Sequence, residues 1–469
     1  MIVAKISDLI FEVEDGGRYF ELFCSKTSFE ILSSSSEVDL LRLILLQAGA
    51  SEPSVRHAVA ALGALQKAAE KRPRTLMYDD HWDEADHHRR NALKLYGRAI
   101  TFMKKEASSG RQDQRLMLLT CFTSFCFEAW TGNQELAFNQ ILTGVNLIRT
   151  WNNNTTGSLS RPEFRPSFVE EELPRLFAGL ALQLLTFTST MVFQPVSDYQ
   201  RKIFWKTLLD SLAEMPEKFV SLKEAGVYQS IIQRFGMHVM VHMLAKSKPQ
   251  PTKNMVVLPF GILSRDELKT GYSEMYLAIE HIERWWKSFD ALSKALHEKG
   301  GKIMVSAIIL NLHITTLYVV LKSVLDADET SSDKYHKLFK EIVKMAEVVV
   351  KDEAERSMGF SFGVGVIFSL QFTAQNCRVS NTRRKAIALL LQTARREGIW
   401  DSLLLGQIMQ WVADIEEEFM ENGQIPGWAR IPGIKRVADL QRRTATLTCQ
   451  QRISEDSDET VTRQKEIRW

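Results

Sequence analysis

Cysteine is scarce and unpatterned: five residues, at positions 24, 121, 126, 377 and 449, an odd number with no recurring spacing. That excludes a disulfide scaffold and fits a reducing compartment. An excess of charge of either sign is lacking too. The formal net charge is +2, and the short basic runs at 71–74, 89–90, 383–385 and 442–443 flank or open helical patterns. They read as solvated helix ends, and the whole molecule offers no field like that of an autonomous nucleic-acid binder. Clean apolar runs are missing as well. The opening MIVAKISDLIFEVEDGG has no long apolar core, so secretion is not expected. The two stretches nearest membrane length, 176–193 and 303–321, are interrupted by Gln183 in the first and by Asn311, His313, Thr315 and Thr316 in the second. Both are expected as buried helices of a soluble domain, with no membrane involved. Strand-like alternation is rare, and no repeat of fixed length points to a solenoid.

What is present is helical periodicity, almost from end to end. With 45% hydrophobic and 25% charged residues, a chain of 469 can bury one large core or two to three smaller ones. Ser51, Glu52 and Pro53 form a helix start with a capping side chain, followed by Val55, Val59, Leu62 and Leu65 on one face. Tyr96, Ala99, Ile100 and Met103, and then Ile141, Leu142, Val145 and Ile148, repeat the pattern. One-sided stripes on consecutive helices require antiparallel helix pairs, so the expected fold is all-α, a large irregular helical domain.

Composition shifts divide the chain. Residues 1–17 are an N-terminal extension and 18–425 the helical domain, with a first block to about 151, a polar linker at 152–174 and a second block at 175–425. A further break falls at 246–253 (KSKPQPTK), and 426–469 is expected as a charged, flexible tail.

Motifs for chemistry are thin. Asp79, Asp80 and Asp83 have the Asp-Asp-x-x-Asp arrangement with which all-α diphosphate enzymes hold magnesium, but the companion Asn-x3-Ser/Thr-x3-Glu motif is nowhere in the chain. His238 and His242 stand four apart without the Glu of a metalloprotease helix, and they read as partly buried, locally bonded histidines. His81, Asp83, His87 and His88 have donor types suited to zinc, yet a solvated helix entry accounts for them. Gly359, Gly363 and Gly365 lack the third glycine of a dinucleotide fingerprint and read as close helix packing. There is no Gly-x-Ser-x-Gly elbow and no Walker lysine. No catalytic residue, cofactor or metal is expected, and the protein is read as not an enzyme.

The most identifying segment is 360–405, FSFGVGVIFSLQFTAQNCRVSNTRRKAIALLLQTARREGIWDSLLL. From the residues alone it is an apolar helical stretch, then Cys377 and Arg378, then a helix opened by Arg383, Arg384 and Lys385. In that helix Arg395 and Arg396 would occupy the last turn, facing the negative dipole end, and Gly398 would be its left-handed cap. Asp401 would then cap a second helix with Leu404, Ile408, Val412, Ile415 and Phe419 as its apolar stripe.

This order of pieces resembles the end of the regulatory domain of fungal binuclear zinc-cluster transcription factors, where a Cys-Arg pair precedes an Arg-rich helix and an Arg-Glu-Gly-hydrophobic-Trp-Asp closure, here Arg396, Glu397, Gly398, Ile399, Trp400 and Asp401 after Arg395. The opening RYFELFCSKTSFEIL at 18–32 and the Glu-Pro-x-Val-Arg-His segment (Glu52, Pro53, Val55, Arg56, His57) are similar to the same family, as is Gly132 with Asn133 in a turn between helices. The resemblance covers roughly 18–420, generically over 155–355. It implies a nuclear transcriptional regulator, in a family many of whose members serve biosynthetic gene clusters, with partners among transcription factors, coregulators or small-molecule effectors.

The six-cysteine zinc module of that family is not in this sequence, whose first 120 residues hold only Cys24. Direct DNA binding by this chain alone is therefore not expected: either it regulates without its own DNA module or its true N-terminus is missing. An effector pocket is expected near Gln183, Asn311 and His313, where apolar walls carry a few polar groups. An Asp79→Asn/Asp80→Asn double variant is expected to leave target transcript levels unchanged; magnesium-dependent turnover of a diphosphate, lost in that variant, would establish the enzyme reading instead.

Overall fold

A computed structural model describes residues 11, 13, 15–31, 38–71, 83–108, 113–156, 173, 176–177, 179–180, 208–246, 255–258, 261–264, 272–299, 301–326, 331–354, 359–392, 394–431, 433–439 and 442–469. These residues are largely helical, with small sheets only, so the fold is all-α in class. They belong to two compact units that interleave along the chain. The first comprises Met1–Leu184, Arg356–Val364 and Arg396–Ile399, the second Leu185–Glu355, Gly365–Arg395 and Trp400–Trp469.

In the first unit, α1 (Gly16–Leu22) runs through a π turn (Phe23–Thr27) into α2 (Ser28–Ile31), followed by α3 (Val38–Ser51), α4 (Pro53–Glu70), α5 (Asp83–Ser108), α6 (Gln114–Thr131) and α7 (Gln134–Thr156). Helix α4 is central and packs on α1, α3, α5 and α6. Its Val55, Val59, Leu62 and Leu65 are all buried, as the apolar spacing requires. Helix α6 ends on Gly132 at φ +86°, where Asn133 N–H donates to Glu128 O at 2.8 Å, the left-handed closure that glycine permits. Helix α7 continues through Asn152–Thr156, five residues into the stretch expected as linker. The helical backbone hydrogen bonds of α7 carry past the polar residues there.

The second unit contains α8 (Leu222–Lys246), a hairpin of β1 (Met255–Leu258) and β2 (Gly261–Ser264), α9 (Tyr272–Lys299), α10 (Gly301–Asp326), a 3-10 turn (Ser331–Tyr335) and α11 (His336–Ala354). Then come α12 (Ile367–Asn376), α13 (Ser380–Gln392) and α14 (Ser402–Glu417). Consecutive members of this series pack on one another, as helical hairpins do. Among the described residues one segment, Met304–Ser323 of α10, is long and apolar enough to cross a membrane, and 67% of it is buried within the protein. It is a core helix: Leu312, Ile314 and Leu321 have no exposure, and its Thr316 hydroxyl donates to Ser369 on α12 at 2.8 Å.

Three sequence expectations are corrected by this geometry. Residues 360–366 are not helical; Phe360–Ser361 form β3, parallel to β4 (Arg396–Glu397), Trp400–Asp401 form β5, and the helix starts only at Ile367, after Gly363 and Gly365. Gly363 and Gly365 thus precede the helix rather than packing inside one. The residues expected as a flexible tail build a three-stranded antiparallel sheet of β6 (Ile434–Asp439), β7 (Thr444–Arg452) and β8 (Thr460–Arg468). Along β7, Ala445, Leu447, Cys449 and Gln451 face inward and alternate with Thr444, Thr446, Thr448 and Gln450, so the two-residue period outweighs the charged composition. Finally, Ser51 does not cap α4. It closes α3, its hydroxyl returning to Gln47 O and Ala48 O, while Glu52 stands at the N-cap of α4 without a side-chain cap bond and Pro53 opens the helix.

Helix α1 crosses α4 at Gly63, where a Cβ atom would stand 2.1 Å from Tyr19 O and 2.9 Å from Tyr19 C. Backbone blocks that approach, so no side-chain rotation relieves it. Gly63→Ala is expected to destabilise the first unit by about 1–3 kcal/mol, read as a lower urea midpoint for its transition; an unchanged midpoint would mean that α1 does not seat on α4.

Candidate functional site

Several of the signature residues close or cap helix ends. Arg56 Nε donates to Gly49 O at 3.0 Å and its Nη2 to Ala50 O at 2.7 Å, which satisfies the open carbonyls of α3. Burial lowers the pKa of Arg56, and Glu52 raises it in opposition. His57 donates from Nδ1 to Pro53 O at 2.8 Å and packs against the rings of both Phe11 and Phe102. Ser54, buried, donates to Glu106 Oε2 at 3.0 Å.

Arg396 does for α6 what Arg56 does for α3. Its Nη1 donates to Trp130 O at 2.9 Å and Ala129 O at 3.4 Å, while its backbone N–H bonds Gly359 O at 2.6 Å. Arg395 and Arg396 are therefore not in the last turn of the basic helix, which ends at Gln392. Gly398 has the expected positive φ, +55°, but in the turn after β4, where its N–H reaches Ser361 O at 2.7 Å. Its conformation serves a strand turn and not a helix cap. Glu397 is buried. Arg395 and Ser402 exchange two bonds, Ser402 N–H to Arg395 O at 2.9 Å and Arg395 N–H to Ser402 Oγ at 3.0 Å. Trp400 is buried and tilted against Phe368, and Asp401 caps α14 by accepting from Leu403 and Leu404 N–H, both at 3.1 Å.

The densest polar cluster surrounds Glu416 on α14. Its carboxylate has no solvent exposure, and Arg383, likewise fully buried, meets Oε2 at 2.7 Å. Arg378 donates to Oε1 at 3.3 Å, and Ile431 N–H to the same oxygen at 2.7 Å. Both arginines also close α12, Arg383 Nε at Ala374 O (2.8 Å) and Arg378 at Gln375 O. Cys377 ends that helix through its N–H to Thr373 O at 2.8 Å, and burial pushes its thiol up. Burial likewise brings the Arg378 guanidinium down to about 10, with Glu416 acting in the opposite sense. The basic run 383–385 is thus not a solvated helix end throughout, because its first residue sits in the core. Arg384 and Lys385 are the outer ones, paired with Asp414 and Glu417, and with Glu347. Sequence reasoning passed over Glu416, although it falls on the stripe of Ile408 and Val412 at four-residue spacing. A carboxylate in an apolar stripe announces a buried partner.

Gln183 lies outside the described residues. Asn311 accepts from Trp286 Nε1 at 3.0 Å, and His313, two residues on, donates from Nε2 to Gly365 O at 2.7 Å. Burial lowers the pKa of His313, opposed by that hydrogen bond. Asp79, Asp80 and His81 are outside the described residues, and Asp83, His238 and His242 are placed only as backbone of α5 and α8. His88 Nδ1 and Tyr19 OH share a 2.7 Å hydrogen bond, and Asn91 donates to His87 Nε2 at 3.1 Å. Among the described residues no group of histidine, cysteine and carboxylate side chains is placed to hold a metal.

The family described as fungal specific transcription factor domain matches residues 18–365. The match starts at the opening aromatic segment and includes Glu52–His57 and Gly132, but stops before Cys377 and the 395–401 closure. No curated protein and no solved structure matches the chain.

Leaving a buried ion cluster without one partner is among the costlier single changes in a core. Glu416→Gln is expected to lower the stability of the second unit by about 3–5 kcal/mol in urea unfolding, whereas Arg384→Met, at the half-exposed pairs, should cost no more than about 1 kcal/mol. Equal, small effects would show that Glu416 does not hold α12, α13 and the 425–431 segment together.

Proposed function

Because the chain belongs to the fungal-specific transcription factor domain family, we propose that this fungal transcriptional regulator acts through a partner protein or a small-molecule effector, and not through zinc-dependent reading of DNA by these residues. The observation that carries the reading is the match over 18–365 together with the cysteine inventory. The sequence holds five cysteines, one fewer than a single six-cysteine zinc module needs. Its net charge of +2 adds no general attraction for a phosphate backbone. Specific promoter contact would come from a DNA-binding partner, or from a zinc module carried by a longer form of the same protein.

A regulator of this kind works by differential binding. A ligand or partner changes output only as far as it prefers one arrangement of the helices over another. Such a role places the protein in the nucleus, and genes of a biosynthetic cluster are the targets we propose. The 469 residues fused to an unrelated DNA-binding module should change transcription of a reporter carrying that module's sites, and cross-linked nuclear complexes should contain a DNA-binding protein. A tethered chain that leaves the reporter unaltered under all growth conditions, with no such protein in the complexes, would overturn the reading.

A further inference from the structure

The terminal sheet ends on β8, and that edge is open. In the antiparallel ladder of β7 and β8, Thr444 stands opposite Arg468 and Arg452 opposite Thr460. The ladder runs one step further at each end: Trp469 N–H donates to Arg443 O at 3.1 Å, and Ile453 N–H to Glu459 O at 3.2 Å. Opposed pairs in such a ladder alternate between bonded and non-bonded. The bonded residues of β8 are therefore the odd-numbered ones, and Thr460, Thr462, Gln464, Glu466 and Arg468 turn their N–H and C=O away from β7.

Among the described residues only one of these outward groups is engaged, Arg468 O, which accepts from Gln407 Nε2 at 3.4 Å. Thr460 to Glu466 present a free row of donors and acceptors. Seven of the nine β8 side chains are exposed, and the covered ones are Arg463 and Ile467, so the strand stands clear of the helices up to Glu466 except where Glu418 holds Arg463 at 2.7 Å. An open edge of this length is a template for another strand unless proline or charge guards it. β8 has no proline, and its charges are answered within the same hairpin.

The hairpin is polarised. Glu455, Asp456, Asp458 and Glu459 fill its turn, whereas Arg463, Lys465 and Arg468 lie along β8. Two copies laid antiparallel bring the acidic end of each to the basic end of the other. Strand alternation puts Glu459, Val461, Arg463 and Lys465 on one face, so the register decides which charges meet. A two-fold axis at Gln464 opposes Arg463 to the partner's Lys465, and an axis at Arg463 opposes that residue to itself. An axis at Thr462 opposes Glu459 to the partner's Lys465 twice over and sets no like charges against each other between residues 459 and 465. Its hydrogen bonds fall on residues 460, 462 and 464, within the free row and away from Gln407. Beyond them Asp458 would meet the partner's Glu466, but Asp458 already has Arg452 at 3.7 Å.

We infer that two copies of this chain join edge to edge through β8, about a two-fold axis at Thr462, into one six-stranded antiparallel sheet. In an isologous contact each residue must complement its opposite number in the same patch, and Glu459 with Lys465 meets that condition. An extended segment of another protein would find the same backbone groups, but the self-complementary charges favour a second copy. The inference does not rest on the function proposed above.

The test is sedimentation equilibrium of the full chain. A mass of twice the 53.6 kDa of one chain is expected, falling toward the single-chain value below about 10 μM because the contact is small. Glu459→Lys and Lys465→Glu should each weaken association by about tenfold or more, and mixing the two variants should restore it. Thr462→Pro removes an N–H that the β7 ladder does not use; a single-chain mass with an unchanged urea midpoint is expected. Should the proline variant fail to fold, the mixed charge variants decide alone. A single-chain mass at about 100 μM, or a two-chain mass that the charge reversals do not weaken and their mixture does not restore, would overturn the proposal.

Discussion

A buried carboxylate has to be neutralised where it stands, and that requirement organises the second unit. Glu416 is carried inward by the apolar stripe of α14, because Ile408 and Val412 on the same face must be buried. Arg383 and Arg378 then have to be brought to it, which sets where α13 begins and how α12 ends. The next turn of chain is drawn in through Ile431 N–H. Beside the carboxylate, Gln451 Nε2 on β7 donates to Ile415 O at 3.1 Å and Ala429 O at 3.2 Å, so the terminal sheet seats on the same corner. An apolar substitute of equal volume is often as stable as such a pair or more so, whereas leaving either charge unpaired in the core is strongly penalised.

The signature arginines share a second physical logic. A helix that ends inside a protein leaves carbonyls that water cannot reach, and a guanidinium supplies several donors and a positive charge to the negative helix end at once. Arg56 does this for α3, Arg396 for α6, and Arg378 and Arg383 for α12. Arg284 likewise bonds two successive carbonyls, Leu212 O at 3.1 Å and the exposed Ala213 O at 3.2 Å. In a helical protein with uneven connections and little sheet, many helix ends fall in the interior, and arginine is well suited to close them.

Much of the fold was legible because the rules involved are local. The stripe of Val55, Val59, Leu62 and Leu65, the start at Pro53, the left-handed Gly132 and the cap by Asp401 all depend on residues within four positions of one another. The site was less legible. Arg395 and Arg396 looked like helix-end cations, yet they lie beyond Gln392, and Arg396 finds its acceptor on Trp130, 266 residues earlier. The strands of 434–468 were masked by their charges: Arg463 pairs with Glu418 at 2.7 Å and Gln451 turns inward, so polar residues occupy positions that composition assigns to a loose tail. Asn311 and His313 were recognisable as polar interruptions of an apolar helix, but not the acceptor on Gly365 or the donor on Trp286 that engage them.

By itself the sequence determined the helical class, the family and the local corners, because apolar period, proline, glycine and capping residues act through neighbouring backbone. Tertiary structure alone decided which carbonyls Arg396 closes, that Glu416 lies in the core between two arginines, and that the last strands dock beside it. Those choices depend on groups tens to hundreds of residues apart. The pairing of a buried charge is settled by what else is buried with it, which no local pattern encodes.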